Sequence, residues 1–500
     1  VELFDNLMLG FANALTHQNL LYAFGGCVLG TLIGVLPGLG PLATISMLLP
    51  FTFGLEPLSA LIMLAGIYYG AAYGGSTTAI LVNLPGETSS VVTVLDGYQM
   101  ARQGRAGVAL ATAALGSFFA GCVGTLILAA FATPLTHFAF EFGPAEYFSL
   151  MTMGLIGAVA LASGPLLKAI GMILLGLLLG LVGTDVASGV MRFTFGLPHL
   201  WDGLDFIVIA VGIFAFGEII TSLEHKETRE TFTGKITNLW PSRDDFKRMA
   251  PAVLRGSAIG SIVGVLPGAG LSLASFFAYS LEKKVSRTPE RFGKGAIEGV
   301  AGPEAANNAA AQTAFVPTLS LGIPGSATMA LMLGAMIVHN IQPGPQVMTS
   351  NPDLFWGLIA SMWIGNLMLV ILNLPLIGIW VKLLTVPFKV LYPAILLFCC
   401  IGVYSVQNSV FDLLIAVIFG FVGYGLRKLD CEPAPLMLGF VLGPMLEENF
   451  RRALVLSKGD FSFFVTRPIS AVLLGVTALL IIAVALPAIR NRRQEAFQEG

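Results

Sequence analysis

The sequence predicts an all-α polytopic membrane protein of about 10–12 transmembrane helices, arranged as two repeats with broken helices and re-entrant hairpins. Three observations carry this. Hydrophobic residues make up 55% of the 500 positions and charged residues 11%, with a mean hydropathy of +0.82; a soluble domain carries roughly 25% charged residues. Residues 6–55 and 305–352 contain no Asp, Glu, Lys or Arg. One crossing helix needs only about 20 apolar residues, so each run is expected to hold more than one pass, or a pass and a re-entrant piece. Finally, GTLIGVLPGLG at Gly30–Gly40 returns as GSIVGVLPGAG at Gly260–Gly270, identical at seven of eleven positions.

Further uncharged runs cover 57–86, 106–133, 147–167, 169–184, 354–381, 390–411 and 468–489. Shorter ones at 206–217, 413–426 and 433–446 are expected to be tilted, broken or re-entrant. Continuous rather than alternating apolar runs disfavour a porin-like barrel. No basic amino-terminal region with a cleavable apolar stretch is present, so the first span is expected to stay in the membrane. The expected division is a first repeat at 1–222, a polar cytoplasmic connection at 223–249, a second repeat at 250–448, and a loop, terminal helix and cytoplasmic tail at 449–500. Basic residues dominate the connection and the tail (Arg490, Arg492, Arg493), which places both on the cytoplasmic side. Arg451, Arg452, Lys458 and Arg467 conflict with that rule if residues 433–446 cross once.

A net charge of −2 with dispersed basic residues gives no footprint for nucleic acid. The five cysteines have neither C-x-x-C nor zinc spacing, so no disulfide framework is expected. Neither H-E-x-x-H nor a G-x-x-x-x-G-K-[ST] loop occurs, so neither zincin chemistry nor ATP-driven pumping has local support. No enzyme is expected, and no cofactor.

The duplicated break points instead to a secondary transporter with a central site. A Pro-Gly pair interrupts a helix and frees backbone groups, which are tolerated at membrane depth only where protein or a wet cavity covers them. Gly38, Gly40 and Thr44 flank the first copy; Gly268, Gly270 and Ser272 flank the second. A helix restarting there presents N–H groups able to hold a carboxylate without a lysine or arginine. A second pair of breaks is LPGETS at Leu84–Ser89 and IPGSAT at Ile323–Thr328. The first, with Ser76, Thr77, Thr78, Asn83 and Gly86, suits a helical hairpin with a polar tip; the second contributes Ser320, Gly325 and Ser326. LGLLLG at Leu175–Gly180 and LGFVLG at Leu438–Gly443 form a weaker third pair. Whether the repeats are inverted or parallel stays open.

Glu304, Asn308 and Gln312 recur every four residues, so a helix puts them on one face, with Asn307 beside it. Amides supply oxygen to a cation or N–H to a carboxylate. Glu87, beside Thr88, and Glu304 are the acids nearest the uncharged runs, candidates for binding Na⁺ or carrying a proton. Alternatively Glu304 caps a helix at the interface and Glu87 faces water. Tyr68, Tyr69 and Tyr73 either line the hairpin's cavity or pack its helix.

GVLPGLGP (34–41), YGGSTTAILVNLPGE (73–87), GVLPGAG (264–270), GPEAANNAAAQTAFVPTLSLGIPGS (302–326) and GFVLGPMLEENFRRAL (439–454) resemble the large membrane subunit of the tripartite tricarboxylate transporter family over nearly the whole chain. The resemblance implies a multi-pass bacterial inner-membrane symporter for carboxylates such as citrate or a related organic acid. It also implies Na⁺ as coupling ion, a small membrane subunit, and a periplasmic solute-binding protein that delivers substrate. The rival reading is an ion channel that uses the same polar breaks.

Overall fold

The computed structural model describes residues 2–36, 40–161, 165–185, 187–224, 236, 239–266, 270–383 and 388–485. The chain opens with α1 (Glu2–Ala14), α2 (His17–Gly34), α3 (Pro41–Thr52) and α4 (Pro57–Val82). Prolines begin α3 and α4, where a missing N–H costs nothing. After a 3₁₀ turn at Thr88–Ser90 come α5 (Val91–Met100), a π turn, α6 (Ala106–Ala139), α7 (Pro144–Leu161) and α8 (Leu166–Gly180). A small antiparallel ladder pairs β1 (Gly183–Thr184) with β2 (Met191–Arg192). Next stand α9 (Phe206–Ala210) and α10 (Gly217–Glu224), joined through a π-helical segment.

The second half holds α11 (Arg243–Val265), α12 (Gly270–Val285), α13 (Glu298–Thr313), α14 (Phe315–Leu321), α15 (Ala327–Val338), α16 (Gln346–Ser350) and α17 (Pro352–Asn373). It continues with α18 (Ile377–Leu383), α19 (Phe388–Gln407), α20 (Val410–Lys428), α21 (Pro433–Leu456), α22 (Phe463–Thr466) and α23 (Pro468–Ala485). Among the described residues, five helical stretches, at 57–82, 91–139, 206–224, 352–373 and 410–428, are long and apolar enough to cross a membrane, alongside shorter apolar helices. The all-α polytopic class expected from the sequence is the class observed.

The duplication is visible as two helix pairs built on the same small-residue seam. An added Cβ on Gly26, Gly30 or Gly34 of α2 would stand 2.3–2.4 Å from carbonyl oxygens of α4. Gly256, Gly260 and Gly264 of α11, each 230 residues later, would meet α13 carbonyl oxygens at 2.1–2.5 Å. Backbones this close are what small residues permit where lipid gives helices no hydrophobic reason to associate. The third sequence pair closes the argument differently: its members pack on each other. Gly176 of α8 faces Leu436 O, and Gly439 of α21 faces Ile173 O.

Two expectations change. The stretch Gly74–Thr78 is uninterrupted α4, so the polar hairpin starts only at Asn83. Ser76, Thr77 and Thr78 lie in helix, where their hydroxyls bond back to carbonyls one turn earlier. Residues 433–446 are likewise not a short broken piece: α21 runs on through Pro444 to Leu456. Its arginines are balanced, Arg451 by Asp185 and Glu447 and Arg452 by Glu448, while Arg467 pairs with buried Glu146. At the connection, a Ser242–Asp245 capping box starts α11 at Arg243, ahead of residue 250.

Candidate functional site

In both halves a helix ends on a left-handed residue, followed by X-Pro-Gly and a new helix start. Asn83 (φ 59°) ends α4 before Leu84-Pro85-Gly86, and Gly322 (φ 71°) ends α14 before Ile323-Pro324-Gly325. Glu87 then caps the 3₁₀ turn, where the second half has Ser326, whose hydroxyl accepts from Met329 N at 3.2 Å. Asn83 itself is exposed, outside the hydrogen-bonded cluster below, and its left-handed φ accounts for its identity. Gly86 is required by contact: an added Cβ would lie 2.3 Å from Gly75 Cα and 2.8 Å from Gly34 O.

The halves interlock crosswise. Helix α12 packs against the 88–90 turn and α5 of the first half, and α3 packs against α15 of the second. Gly40, the N-cap of α3, sits with its would-be Cβ 3.9 Å from Glu87 Cβ. Thr44 is buried and returns its hydroxyl to Gly40 O at 3.0 Å. Gly38 and Gly268 lie outside the described residues. Gly270 takes a left-handed φ of 63° at the start of α12, with Ser272 in its first turn. Gly325 is buried in its bend, and Ser320 is buried with its hydroxyl unpartnered.

Two buried carboxylates organise the centre. Glu87 Oε1 accepts from the Ser89 hydroxyl and from Asn307 Nδ2 (3.3 Å). Thr88 begins the turn between these residues. Glu304, on α13, accepts from Ser76 Oγ of α4 (2.7 Å), Thr93 Oγ1 of α5 and, at 3.5 Å, Ser117 Oγ of α6. Asn308 Nδ2 holds Ser117 Oγ at 2.6 Å, and Gln312, one turn on, points at Gly124 of α6. The i, i+4 face read from the sequence is therefore the face α13 turns to α6, while Asn307 leaves it to reach Glu87. Among the described residues no Lys or Arg side chain pairs with either acid; every partner is a neutral hydroxyl or amide. Oδ1 of Asn307 and of Asn308, and both polar atoms of the Gln312 amide, have no protein partner.

A small cavity of about 10 Å³ lies beside Glu304, lined by Tyr73, Ser76, Thr77, Ser117 and Asn373 among others. A larger cavity of about 550 Å³ opens between the end of α6, the start of α7, residues 340–346 and α21. Leu321, Asn340, Gln342, Asn449 and Arg452 are on its wall, so it adjoins the second-half break. Thr93, Ser117 and Asn373 were not singled out from the sequence. Asn373 had one usable signal, an amide inside the uncharged run 354–381.

The family model described as tripartite tricarboxylate transporter TctA family matches residues 20–438. The chain belongs to that family. As a TctA-family member it is a transporter component and a membrane protein. Two curated relatives come from Agrobacterium vitis. An "uncharacterized 52.8 kDa protein in TAR-I ttuC' 3'region" is 58% identical over 499 residues, covering 100% of this chain and 99% of the relative. An "uncharacterized protein in TAR-II ttuC' 3'region" is 60% identical over 240 residues, 48% of this chain and 99% of the relative. No solved structure matches.

Proposed function

We propose that this chain carries carboxylates, tricarboxylates such as citrate or a related organic acid, across a bacterial inner membrane by secondary active uptake. The paired breaks carry the reading. In each half, the left-handed residue and X-Pro-Gly leave a helix start inside packed protein, beside a buried polar cluster. N–H groups at such starts hold carboxylate oxygens without a basic side chain. The substrate surface on this reading is Gly38, Gly40, Thr44, Ser76, Thr77, Thr78, Gly86, Gly268, Gly270, Ser272, Ser320, Gly325 and Ser326. Asn83 joins it only if its exposed side chain faces the permeation path. The cavity beside Leu321 has a volume in the range of small-molecule sites and supports access to the second-half break.

Na⁺ is the coupling ion on this reading, with Glu87, Thr88, Glu304, Asn307, Asn308 and Gln312 on the coupling side. A bound cation offsets the charge of an anion leaving water, so each favours the other's binding by the same factor. The word tripartite in the family description supports two partners, a small membrane subunit and a periplasmic solute-binding protein.

The test is uptake into proteoliposomes holding both membrane subunits, supplied with binding protein and a panel of carboxylates, with and without a Na⁺ gradient. Saturable, gradient-driven uptake with substrate counterflow is expected. Sustained ion current independent of any carboxylate would replace the transporter by a channel.

A further inference from the structure

We propose that one small monovalent cation binds in the small cavity between α4, α6, α13 and α17, held by the Glu304 carboxylate and the Asn373 side-chain oxygen. This rests on the transport reading above and gives its coupling ion a place. The cavity of about 10 Å³ has room for about one water-sized particle. An organic acid does not fit inside it, although Ser76 and Thr77 of the substrate surface proposed above also line it.

The polar groups of the lining are oxygen-bearing side chains, set beside Leu110, Ala113 and Ala114. Glu304 supplies a carboxylate, and Ser76 and Ser117 supply hydroxyls whose protons point to that carboxylate, leaving lone pairs free on Ser76 Oγ and one on Ser117 Oγ, which also accepts from Asn308 Nδ2. Two further oxygens have nothing to do in the protein alone. Asn373 Oδ1 and Tyr73 Oη are buried without a partner, each on a residue only 4% exposed. The Asn373 amide is fixed by its other end, Nδ2 donating to Leu369 O at 2.9 Å, so the carbonyl oxygen is the end left over. A buried unpaired oxygen costs about 1–3 kcal/mol, a cost that a bound cation removes for both.

The donor set selects the ion. Carboxylate, hydroxyl and amide oxygens are hard ligands suited to alkali and alkaline-earth ions. Among the described residues no three His, Cys, Asp or Glu side chains converge on a metal-sized space. One carboxylate in the lining balances one positive charge; a divalent ion would leave net charge stranded away from water. The ligands come from α4 and α6 of the first repeat and from α13 and α17 of the second. A cation there ties the repeats together, and its departure loosens them.

The experiment uses the purified full-length chain in nanodiscs, with Na⁺ titrated against choline at constant ionic strength and pH. Unfolding midpoint and calorimetric heat are the readouts. A saturable rise in midpoint with Na⁺ is expected, matched by binding heat. Asn373→Ala should move half-saturation about tenfold or more to higher Na⁺. Asn366→Ala should leave it in place: Asn366 is buried on the same helix two turns earlier, but faces Gly121 outside the cavity. Glu304→Gln should lose the Na⁺ response and, in choline, unfold at a higher temperature than the parent, because it buries no charge. Asn373→Asp should gain a response to Ca²⁺.

No Na⁺ response in the parent overturns the site, as do equal shifts for Asn373→Ala and Asn366→Ala. A midpoint that follows pH at fixed Na⁺, but not Na⁺ at fixed pH, replaces the cation by a proton. Carboxylate uptake that persists without Na⁺ binding removes this site and leaves transport standing. Intact Na⁺ binding with no carboxylate movement does the reverse.

Discussion

The buried acids of this chain fall into two groups. Glu282, on α12, receives both Nε and Nη2 of Arg255 at 2.7 and 2.6 Å, and Glu146 pairs with Arg467. Asp96 stands apart from both, without a countercharge but with both oxygens closed by Tyr279 and two backbone N–H groups at 2.7–3.0 Å. Glu87 and Glu304 are as buried, yet are met only by neutral hydroxyls and amides, some with oxygens left over. An ionised carboxylate taken from water without a countercharge is costly. The first group therefore reads as architecture; the second reads as a place for a charge that comes and goes.

The largest expected contrast is functional. Glu304→Gln should reduce cation-driven uptake by about 100-fold, about 2.7 kcal/mol of lost coupling, while the protein still folds; uptake per folded molecule is the measure. Wild-type rates in this variant would place Glu304 with the architectural acids. Next in size is Arg255→Ala, which strands Glu282. Since Arg255 reaches solvent, the loss should be about 2 kcal/mol, below that of a fully buried pair. A lowered unfolding midpoint with normal uptake per folded molecule is the expected pattern.

Asn307→Ala should cost about 1–2 kcal/mol by removing the one amide that reaches Glu87, with uptake falling about tenfold. An effect on stability alone would move Glu87 into the first group. The surface cluster of Asp185 with Arg192, Glu447 and Arg451 supplies a pH control. The Ser188 hydroxyl, the Ala187 N–H and Arg451 hold Asp185 down at about 2. Its contribution is present above the ordinary value of 3.8 and is lost as pH falls through about 2. Unfolding midpoints should hold steady down to about pH 4 and then drop, less steeply in Asp185→Asn. The smallest effect belongs to Asn83→Gly. Both residues accept the left-handed cap, so stability and uptake should stay within about 0.5 kcal/mol of the parent; a tenfold loss of uptake would make the Asn83 amide a ligand after all.

Composition, uncharged runs and the repeated Pro-Gly motif determined the helical membrane class, the two halves, and the acids and amides worth watching. Those features are local: apolar length, helix period and helix breaking act within a few turns of chain. Only the tertiary structure decided that Ser76–Thr78 are helical and that Asn83 is a cap. It also decided that Glu304 gathers Ser76, Thr93 and Ser117 from three other helices, beside Asn373. Ser117 was invisible as a site residue because a lone hydroxyl in an apolar run has no periodicity to read, and the Asn373 amide, though it stood out in its uncharged run, had nothing along the chain to tie it to Glu304. Which carboxylates receive arginines was equally hidden, since Arg255–Glu282 and Arg467–Glu146 join residues 27 and 321 positions apart. Whether a buried charge is paid for depends on which helices pack together, and that is settled in space rather than along the chain.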